Sequence, residues 1–167
     1  MSNNPLLRPW TGPHGGVPPF ADVKLEHFVP ALEASMDEMR AEIARIADDP
    51  APPTWETTIG AYEDAGRAYN AVNSVFNVWA STLNGPEFQA IERDMAPKLA
   101  AFDDEPAQND KLYARIVAGA AAEHASPEGK RLSWRTETSL ARSGAKLDRA
   151  AKERLTAINQ RLASLFT

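Results

Sequence analysis

Cysteine is absent from this chain, which excludes disulfide cross-links, thiolate zinc sites and cysteine nucleophiles and accords with a reducing compartment. No apolar run approaches the ~20 residues of a membrane span. Nor does the opening Met1-Ser2-Asn3-Asn4-Pro5 place a basic segment before an apolar one; no secretory signal is expected, and a cytoplasmic location is the default. A dense basic stripe is also missing. Lys and Arg are interspersed with Asp and Glu for a net charge of −5, a pattern of solvated helix faces that argues against nucleic-acid binding. Gly12, Gly15 and Gly16 are interleaved with proline and follow no strand, so they do not form a phosphate-binding loop. Period-two alternation with β-branched enrichment occurs nowhere, and no strand is expected.

What is present is a soluble, globular composition. The 167 residues are 43% hydrophobic and 25% charged, enough for one domain with a sizeable core or for part of a larger one. Residues 1–23 are crowded with Pro5, Pro9, Gly12, Pro13, Gly15, Gly16, Pro18 and Pro19. They predict an extended arm, held against a surface by the apolar anchors Leu6, Leu7, Trp10, Val17 and Phe20.

Residues 24–167 carry helical periodicity. Val29, Leu32, Met36, Met39, Ile43 and Ile46 alternate spacings of three and four, with Pro30 tolerated in the first turn. Asp48-Asp49-Pro50-Ala51-Pro52-Pro53 ends that helix. Thr54 reads as the N-cap of a second one, whose stripe runs through Trp55, Ile59, Tyr62, Gly66, Tyr69, Val72, Phe76, Trp79 and Leu83. At ~1.5 Å per residue it makes a rod of about 45 Å, with Gly66 admitting another backbone to the buried stripe. Asn84-Gly85-Pro86 separates it from a third helix bearing Phe88, Ile91, Met95, Leu99 and Phe102, in which Pro97 predicts a kink near Arg93.

A fourth helix is predicted from Asn109 or Asp110 to about Glu123. Ser126-Pro127 caps a fifth that runs through Leu132 to Arg142, and Ser143-Gly144 breaks it. The last helix, Asp148 to Thr167, carries Ala151, Leu155, Ile158, Leu162 and Leu165 and ends on Leu165-Phe166 without a capping Gly, Asn or Pro. This stripe predicts a covering surface in further sequence, and self-association of the isolated chain. The expected fold is all-α: an antiparallel helical bundle behind an extended Pro/Gly-rich arm, incomplete at its C-terminal end.

Candidate chemistry is sparse. His14, His27 and His124 include no i, i+4 pair, so no two-histidine zinc signature exists. His27 suits a packing or capping role at a helix entrance, and Pro127 interrupts helical geometry between His124 and Glu128. The carboxylates Asp48/Asp49 and Asp103/Asp104/Glu105 fall in predicted connections, where water keeps them ionised. Ser143-Gly144-Ala145 lacks a hydrolase elbow. Tyr62, Tyr69, Phe76 and Trp79 read as core. No catalytic, cofactor-binding or metal residue is assigned to the chain.

Several phrases nonetheless form an ordered set. They begin with Asn4-Pro5-Leu6-Leu7, Trp10-Thr11-Gly12-Pro13, Pro18-Pro19-Phe20, His27-Phe28-Val29-Pro30-Ala31-Leu32 and Glu42-Ile43-Ala44-Arg45-Ile46-Ala47. Pro53-Thr54-Trp55-Glu56-Thr57-Thr58-Ile59, Ala65-Gly66, Ser74-Val75-Phe76, Ala96-Pro97-Lys98-Leu99 and Leu112-Tyr113-Ala114-Arg115-Ile116 follow. Ser143-Gly144-Ala145-Lys146-Leu147 and Ile158-Asn159-Gln160-Arg161-Leu162-Ala163 complete it. Across nearly the whole chain this series resembles the N-terminal part of the thimet oligopeptidase family of zinc metallopeptidases, in the branch that releases C-terminal dipeptides.

The chain departs from that family at Tyr62, at Ser139-Leu140-Ala141 and over Ser133-Trp134-Arg135-Thr136. The resemblance implies a helical parent enzyme whose two halves flank a deep channel admitting short peptides. It also implies a zinc ion held by an HExxH helix and a downstream Glu, none of which occurs here. The implied role is a channel wall, inert alone, whose partners are the remainder of the peptidase and, for the parent, short peptide substrates. A free-standing helical binding or scaffold module is the alternative.

Overall fold

The structure, a computed structural model, describes residues 4–13, 16–122 and 126–166. Among them no strand forms, and one isolated antiparallel bridge joins Thr11 to Val17. The helices are α1 (Phe28–Ala47), α2 (Ala61–Asp64), α3 (Arg67–Thr82), α4 (Pro86–Gln108), α5 (Asp110–Ala121), α6 (Pro127–Leu140) and α7 (Arg149–Phe166). The fold is all-α, as the apolar spacing predicts. It divides into two compact units, one holding the residues up to Arg40 with Gly66–Ala96, the other Ala41–Ala65 with Pro97–Phe166.

In the first unit the arm carries single 3-10 turns at Pro5–Leu7 and Phe20–Asp22. The Asn4 carboxamide caps the first, accepting from the Leu6 amide at 3.0 Å, and its Nδ2 donates to the His27 carbonyl at 2.8 Å. Anchoring falls to Leu6 and Val23, both buried, whereas Val17 and Phe20 are exposed. His27 is a cap: its Nδ1 accepts the Lys24 amide at 3.0 Å, just before α1. The centre is aromatic. Phe28 is fully buried and meets Phe76, Trp79 and Phe88 edge-on at centroid distances of 5.7, 5.1 and 5.4 Å. Such pairs add about 0.5–1.5 kcal/mol each to the burial of the rings.

The rod predicted from Thr54 to Leu83 is not continuous. Thr54 does cap, accepting the Thr57 amide at 3.2 Å, but a π-helical turn (Trp55–Gly60) and the single turn α2 follow. Ala65 is extended and Gly66 is left-handed at φ 75°, so α3 begins afresh. The apolar spacing survives because the break keeps Ile59, Ala65, Tyr69 and Val72 buried. Gly66 is required by its left-handed backbone. What closes over it is the Met39 side chain, not a second backbone: a Cβ there would lie 2.5 Å from Met39 Sδ.

The second unit is built on Ile43, Ile46, Ile59, Phe102, Leu112, Ile116 and Leu140, all buried. α5, capped by Asn109 (Leu112 amide to Oδ1, 3.0 Å), packs against α6 and the π-helical turn. Gly119 permits that approach, since a Cβ would sit 3.0 Å from Thr58 Cβ and 3.2 Å from the Thr54 carbonyl. Ser126 caps α6 through the Gly129 amide at 3.0 Å, and Trp55 Nε1 donates to the Gly129 carbonyl at 3.2 Å. After α6 the chain turns at Gly144 (φ 99°), and Asp148 caps α7 through the Ala151 amide at 2.8 Å. α4 runs unbroken through Pro97 and Pro106.

Candidate functional site

Among the described residues, His27, Asp48, Asp49 and Asp104 each have a structural occupation. His27 is spent on its cap, while His14 and His124 lie outside the described residues. Asp48 and Asp49 do sit in the connection after α1, but α5 answers them. Lys111 Nζ donates to Asp48 at 2.7 Å, a bond that raises the Lys111 pKa above its ordinary value. Arg115 reaches further, with Nη1 on the carbonyls of Asp49 (2.6 Å) and Ala51 (2.9 Å) and Nη2 on the Asp49 carboxylate at 3.2 Å. Asp103, Asp104 and Glu105 are not in a connection: α4 continues through them, because the Pro106 ring is held within the helix rather than ending it. Asp104 is buried and accepts both bonds of the Asn159 amide, at 2.8 and 3.1 Å.

Among the described residues no three His, Cys, Asp or Glu side chains converge. The described residues therefore do not make a zinc site. In the first unit a cleft of about 710 Å³ runs between the arm and α3, floored by Leu6, Leu7 and Trp10 and rimmed by Arg8 and Arg67. In the second unit a recess of about 120 Å³ is lined by Tyr62, Arg135, Thr136, Ser139 and Leu140. Five of the eight positions that depart from the family phrases line it: Tyr62, Arg135, Thr136, Ser139 and Leu140. Burial raises the pKa of the Tyr62 phenol there, and the Glu63 carboxylate adds to the effect.

The most developed surface is α7. Its packed side is polar: Lys152 is buried with Nζ 2.5 Å from Asp110 Oδ1, and Gln108 Nε2 donates to Thr156 Oγ1 at 3.1 Å. Asn159 supplies the contact to Asp104. About 100° around the helix lies the apolar row, with Ile158 and Leu162 each 46% exposed and Leu165 62%. Sequence reading found the row but missed Lys152, Thr156 and Asn159; their spacing of four and three was the available signal.

Two small helical cores and a last helix that packs by its polar side make up the described residues. No family model matches the chain. Over its whole length it is 30% identical to the dipeptidyl carboxypeptidase of Salmonella typhimurium, covering 25% of that protein. Over 97% of its length it is 31% identical to the dipeptidyl carboxypeptidase of Escherichia coli K12, covering 24%. Oligopeptidase A of Escherichia coli K12 matches 66% of the chain at 27% identity, covering 15% of that protein. The chain is homologous to a segment of these bacterial peptidases and spans about a quarter of the length of the two carboxypeptidases.

Proposed function

We propose that this chain is the N-terminal helical part of a zinc-dependent oligopeptidase of the peptidyl-dipeptidase type. The parent removes C-terminal dipeptides from short peptides in the cytoplasm. Its zinc and catalytic residues lie in the remainder of that protein, and this segment forms part of a channel wall that limits access by size. The observation that carries the reading is the match along the whole chain to a quarter of each dipeptidyl carboxypeptidase. Supporting it, His27, Asp48, Asp49 and Asp104 are each engaged within the chain, by a cap, two ion pairs and a hydrogen bond to Asn159.

The test is cleavage of an N-terminally blocked tetrapeptide by the purified chain, with EDTA and with added zinc. No turnover is expected under any of these conditions. Turnover abolished by EDTA and restored by zinc would refute the assignment of all chemistry to the remainder. Reading the coding DNA past the Thr167 codon tests the parent: an open frame leading to HExxH supports the peptidase, whereas a stop codon there favours the free-standing helical module.

A further inference from the structure

Along α7 the residues Ala151, Leu155, Ile158, Leu162 and Leu165 alternate spacings of four and three. That is a/d spacing over two heptads, with Leu155 and Leu162 at a and Ala151, Ile158 and Leu165 at d. The seam is half-buried at Leu155, which closes over Gly144, and exposed from Ile158 onward. On one flank, Arg154 and Arg161 occupy successive g positions. Both are exposed, and neither guanidinium makes an ion pair or hydrogen bond among the described residues. On the other flank, the e positions Lys152 and Asn159 are engaged with Asp110 and Asp104.

We propose that the exposed face of α7 docks a single helix of stated chemistry: an apolar a/d stripe with Asp or Glu on the edge that meets Arg154 and Arg161. Charge complementarity selects this occupant. A second copy of α7 is a poorer fit. Packed antiparallel it sets arginine against arginine, and packed parallel it offers Arg154 only an Asn159 already bonded within its own chain. The proposal concerns the face and its ligand class, and it stands apart from the peptidase reading.

The test titrates the 167-residue chain into two labelled helical peptides of about 21 residues, three heptads. Both carry Leu at a and d; one has Glu and the other Lys at e and g. In about 0.1 M salt the Glu peptide is expected to bind roughly tenfold tighter, and about 0.5 M salt narrows the gap. Arg154→Glu with Arg161→Glu reverses the preference. Leu162→Asp, on the exposed face, abolishes binding while the circular dichroism of the chain stays unchanged.

The proposal would be overturned by equal affinity for the two peptides, no binding of the Glu peptide, binding that survives Leu162→Asp, or preference for anionic phosphatidylglycerol vesicles over both peptides. A dimer in sedimentation that Leu162→Asp dissolves would also overturn it, by assigning the face to a second copy.

Discussion

Replacing Gly66 by alanine separates two structures that the same apolar stripe allows. Were residues 54–83 one continuous helix, Gly66→Ala would stabilise the protein by about 1 kcal/mol through helix propensity. The structure requires the opposite sign. Gly66 is left-handed at φ 75°, which costs a residue with a Cβ about 1–2 kcal/mol. The new methyl would stand 2.5 Å from Met39 Sδ and 3.1 Å from its Cε, but this is the far end of a flexible, half-buried side chain that gives way at little cost. Reduced freedom of the unfolded chain returns about 0.4–1 kcal/mol. The net expectation is a destabilisation of about 1 kcal/mol, set by the left-handed backbone and read from urea unfolding followed by circular dichroism.

The double variant Gly66→Ala/Met39→Ala tests that assignment. Removing the thioether leaves the backbone strain in place, so the two substitutions together should cost close to the sum of each alone. A stabilising Gly66→Ala would refute the break between α2 and α3. A cost for the pair well below that sum would assign the loss to the Met39 contact instead.

Three further outcomes are expected. Thr58 is fully buried with its hydroxyl unpaired, so Thr58→Val should raise stability by about 1 kcal/mol in the same urea assay; a loss would reveal a hydrogen bond to that hydroxyl. Lys152→Met should be near neutral, because it removes the buried charge itself and leaves the Asp110 carboxylate, 87% exposed, to water; Asp110→Ala should cost more, about 3 kcal/mol, because it leaves the buried Lys152 ammonium without its carboxylate. The raised pKa of Tyr62 means the folded state holds the phenolic proton more tightly than the unfolded one. Its contribution is complete below pH 10, the ordinary tyrosine value, and is lost as pH rises through the folded pKa; Tyr62→Phe should flatten that alkaline decline in thermal melts.

Helix type and most of the caps were legible in the sequence because they depend on neighbours. Thr54, Asn109 and Ser126 each precede their helix by one position and accept from the amide three residues on. The interruption at Ala65-Gly66 was not legible, because a stripe of apolar residues records which side is buried and not whether the backbone turns between them. Asp103–Glu105 misled for a related reason: a charged triplet before a proline resembles a connection until Asn159, 55 residues from Asp104, supplies its partner. The roles of Arg115 and Lys152 were invisible for the same cause. A long cation on a helix looks solvated until the carbonyls that accept its protons are known.

The clamp that Arg115 places on Asp49 and Ala51 bears on the order in which the molecule can be completed during synthesis. Donor and first acceptor are 66 residues apart, and the Trp55–Gly129 bond spans 74. At roughly 5–20 residues per second on the ribosome, the corner after α1 waits about 3–13 s before its arginine exists. Until then the restraints on Asp48-Asp49-Pro50-Ala51-Pro52-Pro53 are local ones: the fixed φ of its prolines and the Ala51 amide donating to the Asp49 carboxylate at 2.9 Å. The corner is thus shaped by its own residues first and locked by a distant arginine last.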